Sequence, residues 1–126
     1  MNPSPVRGES FSRDDRLRKR REFQECYATG VRVSGRLFQM FLLRREASGK
    51  HRLGISVPRK AGSAVVRNRL RRRFREIFRR NREALPAGAC DVLIHVRPGA
   101  SRAPLGELRE EYMSALSRVR PQPRRG

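Results

Sequence analysis

The stretch Val66-Arg67-Asn68-Arg69-Leu70-Arg71-Arg72-Arg73-Phe74-Arg75-Glu76-Ile77-Phe78-Arg79-Arg80 carries the side chains best suited by type and spacing to do chemistry, and that chemistry is anion binding. A guanidinium holds its proton at any physiological pH, so it serves poorly in proton transfer; its planar fork donates in parallel to two phosphate oxygens. Leu70, Phe74, Ile77 and Phe78 recur at i, i+4, i+7 and i+8, one helical face that a core can bury. Arg67, Arg69, Arg72, Arg73 and Arg75 take the other faces and are expected to begin or fill the first turns. Freed backbone N–H groups and the positive end of the helix dipole already favour an anion there. Cations placed where a helix favours acids imply that a partner brings the negative charge, with phosphate the leading candidate.

Other chemistry is thinly represented. Metal-free RNA cleavage needs a general acid and base near neutral pKa, and His51 and His95 are the histidines available. Both fall in expected strands, with no acidic cluster at motif spacing beside them. Asp14/Asp15 and Glu110/Glu111 are sequence neighbours whose side chains diverge, which makes poor metal sites. Cys26 and Cys90 lie in segments of core-like pattern, as expected for reduced, buried thiols.

Composition points the same way as the arginines. The chain has 126 residues, with 31 Lys+Arg against 12 Asp+Glu and a net charge of +19. Such an excess raises the energy of the compact state by self-repulsion and marks a polyanion binder. The preference for arginine over lysine suits phosphate and base contacts, though genomic base composition can produce it too. At 37% hydrophobic residues, the length supports one modest core. No apolar run is long enough to span a bilayer or serve as a signal peptide, so a cytoplasmic protein without membrane association is expected. No helix-turn-helix or zinc pattern favours DNA.

The elements that must position these residues follow from periodicity. Residues 1–10 are expected to form a mobile tail, 11–119 one RNA-binding domain, and 120–126 a disordered basic tail. A basic run from Arg13 to Arg21 leads into a short helix ending near Thr29, stopped by Gly30. Phe23 and Tyr27 lie one turn apart on it, placed either to pack a core or to line a groove for single-stranded nucleic acid. Arg36–Arg45 reads as a strand apolar on both faces, with Phe38, Met40 and Leu42 on one side and Leu37, Gln39, Phe41 and Leu43 on the other. The first helix is a candidate cover for the second face, leaving Gln39 and Phe41 at a cleft edge. A turn at Ala47–Lys50 would return the chain as His51–Val57, a hairpin partner ended by Pro58. The arginine helix then runs to Arg82 or Glu83, with Asn68 near its start as a candidate N-cap. Asp91–Arg97 is a third buried strand, and Pro104–Val119 a helix with Leu105, Leu108, Tyr112, Ala115, Leu116 and Val119 inward. The order helix, two or three strands, helix, strand, helix gives an α/β (α+β) two-layer sandwich.

The segment from Gly54 to Glu76, through Arg59-Lys60 and the Arg67-Asn68-Arg69 core, closely resembles the signature of the bacterial ribonuclease P protein subunit. The resemblance extends over roughly Phe11 to Val119 and implies a left-handed β-α-β crossover carrying the arginine helix. It implies a ribonucleoprotein endoribonuclease whose catalyst is an RNA subunit acting with Mg2+, the protein helping to bind precursor tRNA while its 5′ leader is removed. No cofactor held by the protein alone, no catalytic side chain and no obligate protein partner are implied. By the same resemblance, Arg59, Lys60, Arg67, Asn68, Arg69, Arg71, Arg72 and Arg75 would face the RNA subunit. Arg16, Lys19, Phe23, Tyr27, Gln39 and Phe41 would line the leader cleft. Phe41 departs from the tyrosine familiar in some relatives, and Pro58 from a small polar residue or alanine. The alternative is a structural RNA-binding protein of ribosomal type, which shares the charge and the fold class but has no part in cleavage.

Overall fold

The computed structural model describes residues 15–45 and 50–119. The expected tails and the Ser48-Gly49 turn lie outside that range. Its elements in order are α1 (Arg20–Thr29), β1 (Val31–Ser34), β2 (Phe38–Arg44), β3 (Arg52–Ser56), α2 (Ala64–Arg80), β4 (Cys90–Val96) and α3 (Leu105–Val119). The four strands form one sheet in the order β1-β2-β4-β3. β1–β2 and β2–β4 are antiparallel, whereas β3–β4 is parallel, with α2 as its crossover. The helix-strand order expected from periodicity is therefore present.

The strand pairing differs from expectation. The expected hairpin between β2 and β3 does not form, because β4 takes the place between them. The hairpin joins β1 to β2 instead, with Ser34 opposite Gln39 and Val31 opposite Leu42. β4 earns the central position by composition, since Val92, Leu93, Ile94 and Val96 are fully buried and need cover on both faces.

Alternation along the strands divides the interior in two. Phe38, Met40 and Leu42 of β2, Leu53 of β3 and Val92, Ile94 and Val96 of β4 face α2 and α3. Into this main core α2 sends Leu70, Phe74, Ile77 and Phe78, the stripe read from the sequence. Phe74 meets Phe38 edge to face, ring centroids 5.2 Å apart. From α3 come Leu108, Tyr112, Ala115, Leu116 and Val119, while Leu105 is 43% exposed rather than inward. Leu37 also joins this core instead of the opposite face, because β2 begins only at Phe38. Its N–H and that of Phe38 both donate to Glu111 Oε2 of α3, at 2.8 and 3.2 Å.

The opposite face carries a smaller cluster of Leu17, Cys26, Phe41 and Leu93, with Phe23 and Leu43 against it. α1 is its cover, as anticipated. The segment before α1 runs along the edge of β3, where Leu17 N–H donates to Leu53 O at 3.0 Å. Gly54 permits this approach, since a Cβ there would stand 2.6 Å from Leu17 Cδ1 and 3.0 Å from Phe23 Cε2. Both cysteines are free and buried.

Candidate nucleic-acid interface

The arginine helix begins earlier than its charge suggests. Ser63, not Asn68, is the N-cap, its Oγ accepting from Val66 N–H at 3.3 Å. Gly62 delivers the chain to it at φ 144°, a conformation that side chains with a Cβ rarely adopt. The first turn is therefore Ala64 to Arg67, and Arg69, Arg72, Arg73 and Arg75 lie beyond the reach of the dipole, which fades within one turn. What concentrates positive potential here is the arginines' own density. Asn68 projects outward a turn into the helix, where its Oδ1 accepts from Arg71 Nη1 at 2.8 Å and steadies that guanidinium. Arg67 Nε donates to Gly62 O at 3.2 Å, and Arg73 Nη1 to Ala103 O at 3.1 Å. Arg72 is exposed, and Arg69 Nε is a buried donor without a hydrogen-bond partner.

No acid among the described residues forms an ion pair with Arg67, Arg69, Arg71, Arg72 or Arg73. The far end of the helix is different: Glu76 accepts from Arg79 at 2.5 Å and also from Arg80. The positive field is thus strongest on the first three turns and partly offset on the last. Burial, then the charges of Arg16 and Arg71, push the Arg75 guanidinium below its ordinary value. Arg16, from the segment along the β3 edge, is thus close enough for its charge to act on Arg75 of α2. Arg59 and Lys60 are exposed on a 3-10 turn between β3 and α2.

On the α1 side, Tyr27 is 40% exposed while Phe41 beneath it is only 6% exposed. Their rings meet edge to face at 4.9 Å, so Phe41 is a wall supporting Tyr27, and Tyr27 is the ring accessible for stacking. Phe23 is half-buried against Leu17 and Leu93, and Arg16 and Lys19 are exposed beside it. Gln39 is half-buried, its Nε2 donating to Ser34 Oγ at 3.1 Å. The two histidines lie at opposite ends of the β3–β4 ladder, His51 just before the Arg52–Asp91 pair and His95 opposite Ser56. His51 Nε2 bonds Pro86 O and His95 Nδ1 bonds the Tyr27 hydroxyl, each at 2.8 Å. Such a separation excludes an acid–base pair. Among the described residues no three His, Cys, Asp or Glu side chains gather as a metal site. Asp15 is instead buried against Arg82 at 3.3 Å, with Lys50 at 4.0 Å.

Sequence reasoning missed the clamp that seats α1. Arg52 on β3 donates through Nε and Nη2 to the two oxygens of Asp91, both at 2.9 Å, and through Nη1 to Glu22 of α1 at 2.9 Å. Arg45 adds a bond to Asp91 at 2.7 Å. The other Glu22 oxygen accepts from the N–H groups of Arg18 and Lys19, satisfying donors at the start of α1. Burial raises the Glu22 carboxyl, but the backbone bonds from Lys19 and Arg18 and the charge of Arg52 together outweigh it and bring the value down to about 2. A folded-state value below the ordinary 4.5 contributes stability above pH 4.5 that is lost as pH falls towards 2. Melting temperature measured across that window should fall more steeply for the natural protein than for Glu22→Gln, which should start lower at pH 6. Parallel slopes would remove Glu22 from the account.

The family model for ribonuclease P matches residues 11–120. The chain is 38% identical over 115 residues to the ribonuclease P protein component of Thermotoga maritima, covering 88% of this chain and 97% of that protein. Among solved structures, the Staphylococcus aureus RNase P protein superposes with a TM-score of 0.75 at 28% identity, over 83% of this chain and 94% of that one. The Thermotoga maritima RNase P protein gives 0.73 at 35% identity, over 84% and 98%. A helix dense in arginine, an exposed tyrosine braced by a buried phenylalanine on the other face of the sheet, and matches over most of the length converge on one assignment: the chain belongs to the ribonuclease P family, as the protein component of that tRNA-processing ribonuclease.

Proposed function

We propose that this chain binds the ribonuclease P RNA through α2 and its approach, and the single-stranded 5′ leader of precursor tRNA through the α1 face of the sheet. One observation carries the second half: the exposed Tyr27 ring is braced edge-on by Phe41, on a helix whose other end begins at the exposed cations Arg16 and Lys19. A braced ring is what an unpaired base stacks on, while cations further along the same helix can meet phosphates of the strand. Arg59, Lys60, Arg67, Asn68, Arg69, Arg71, Arg72 and Arg75 serve the RNA subunit in this account. The chain orients and neutralises; cleavage belongs to the RNA, to which the Mg2+ of the reaction is also assigned. No helix among the described residues is long and apolar enough to cross a membrane, in keeping with a place in the cytoplasm beside tRNA transcripts.

Tyr27→Ala should weaken reconstituted holoenzyme for leader-bearing tRNA by about 1–3 kcal/mol while leaving mature tRNA affinity in place. Equal losses for both substrates would contradict a leader cleft. Phe23→Ala should act in the same direction, with melting curves used to separate lost packing from lost stacking.

A further inference from the structure

Strand register places a polar row across the sheet where the cover of α1 ends. Ser34 of β1 is opposite Gln39 of β2, Gln39 is opposite His95 of β4, and His95 is opposite Ser56 of β3. Phe41 and Leu93 lie two residues away on the same face, beneath α1. All four polar residues therefore face the side on which Tyr27 stands.

The two central side chains are each tied at one polar atom. Gln39 Nε2 donates to Ser34 Oγ at 3.1 Å, which leaves Oε1 as an acceptor. His95 Nδ1 is 2.8 Å from the Tyr27 hydroxyl. A phenol is the better donor and a neutral imidazole nitrogen the better acceptor, so the proton lies on Tyr27 and His95 carries its own at Nε2. The cleft thus offers an N–H donor and a carbonyl acceptor from directly opposed residues, next to the ring assigned to stacking. Adenine and cytosine present the complement, a ring nitrogen beside an exocyclic amino group. Guanine and uracil present a carbonyl beside an N–H, the reverse order.

We propose that His95 and Gln39 read one leader base, His95 Nε2–H donating to its ring nitrogen and Gln39 Oε1 accepting from its amino group, so that the cleft selects adenine or cytosine. This rests on the leader-cleft assignment and adds the residues that give it base preference. The hydroxyl of Tyr27 acts as a positioning group in this scheme, fixing the His95 tautomer.

The test uses holoenzyme reconstituted with a bacterial ribonuclease P RNA and precursor tRNAs carrying each of the four bases at successive leader positions. The natural protein should bind adenine or cytosine about tenfold more tightly than guanine or uracil at one position. His95→Phe and Gln39→Leu should each bring the favoured leaders down to the level of the disfavoured ones. Tyr27→Phe, which keeps the ring, should erode the preference through the tautomer. Melting curves and RNA-subunit affinity check that each variant is folded. Absence of any base preference, or a preference that survives both His95→Phe and Gln39→Leu, overturns the proposal while leader-bearing tRNA still binds better than mature tRNA. Equal binding of leader-bearing and mature tRNA by the natural protein overturns the leader cleft itself, and the proposal with it.

Discussion

Asp91→Ala should lower unfolding free energy by about 3 kcal/mol, the lower end of the range for breaking a buried charge pair. Asp91 is 2% exposed and accepts from both Arg45 and Arg52, so its removal leaves two neighbouring guanidinium groups with only Glu22, on Arg52, as a counter-ion. Their partial access to water, 27% and 24% of each side chain, is why the larger values are not expected. Urea unfolding measures the loss directly, and Asp91→Asn, which keeps an acceptor, should cost less. The consequence reaches function because Arg52 also holds Glu22, and with it the seat of α1 on the sheet. Preference for leader-bearing tRNA should therefore weaken at temperatures where the variant is still folded. A change in stability below about 1 kcal/mol would mean that the two arginines find water at little cost, and the clamp would lose its role.

The second large effect lies on α2. The paired replacement Arg69→Ala and Arg72→Ala should reduce affinity for the ribonuclease P RNA by roughly tenfold to a hundredfold for each phosphate bond lost, in line with about 1.5–3 kcal/mol for hydrogen bonds to charged groups. The salt dependence discriminates better than the affinity. Each lost phosphate contact should flatten the plot of log affinity against log salt by about 0.7 to 0.9. Neither side chain forms an ion pair with an acid among the described residues, so little intramolecular compensation accompanies the change. An unchanged slope in a folded double variant would place the RNA elsewhere.

Features written in local periodicity were legible in the sequence. The stripe Leu70, Phe74, Ile77 and Phe78 is buried as its spacing required, and α1 stops at Gly30. Strand order was not legible, because β4 reaches its place between β2 and β3 only through pairings distant in the chain. The N-cap was misplaced for a different reason: the density of arginine drew the start of α2 towards Asn68, past the plainer signal of Gly62-Ser63. Phe41 was legible as part of the cleft but not as its buried wall, since exposure depends on where Tyr27 comes to rest over it. Asp91, heading an apolar strand, was a readable sign of a buried charge that needed partners. Arg45, Arg52 and Glu22 could not be named as those partners without the register. His95 gave no local sign at all, because its place in the cleft depends on facing Tyr27 from a strand 68 residues away.

The division of labour between this chain and an RNA catalyst is tested most directly by cleavage of precursor tRNA at low magnesium, with the protein alone, a bacterial ribonuclease P RNA alone, and the two together. The account predicts no cleavage by the protein, slow cleavage by the RNA, and marked stimulation when both are present, with the leader released at the mature 5′ end. Cleavage by the protein alone, or an RNA reaction indifferent to its addition, would contradict it.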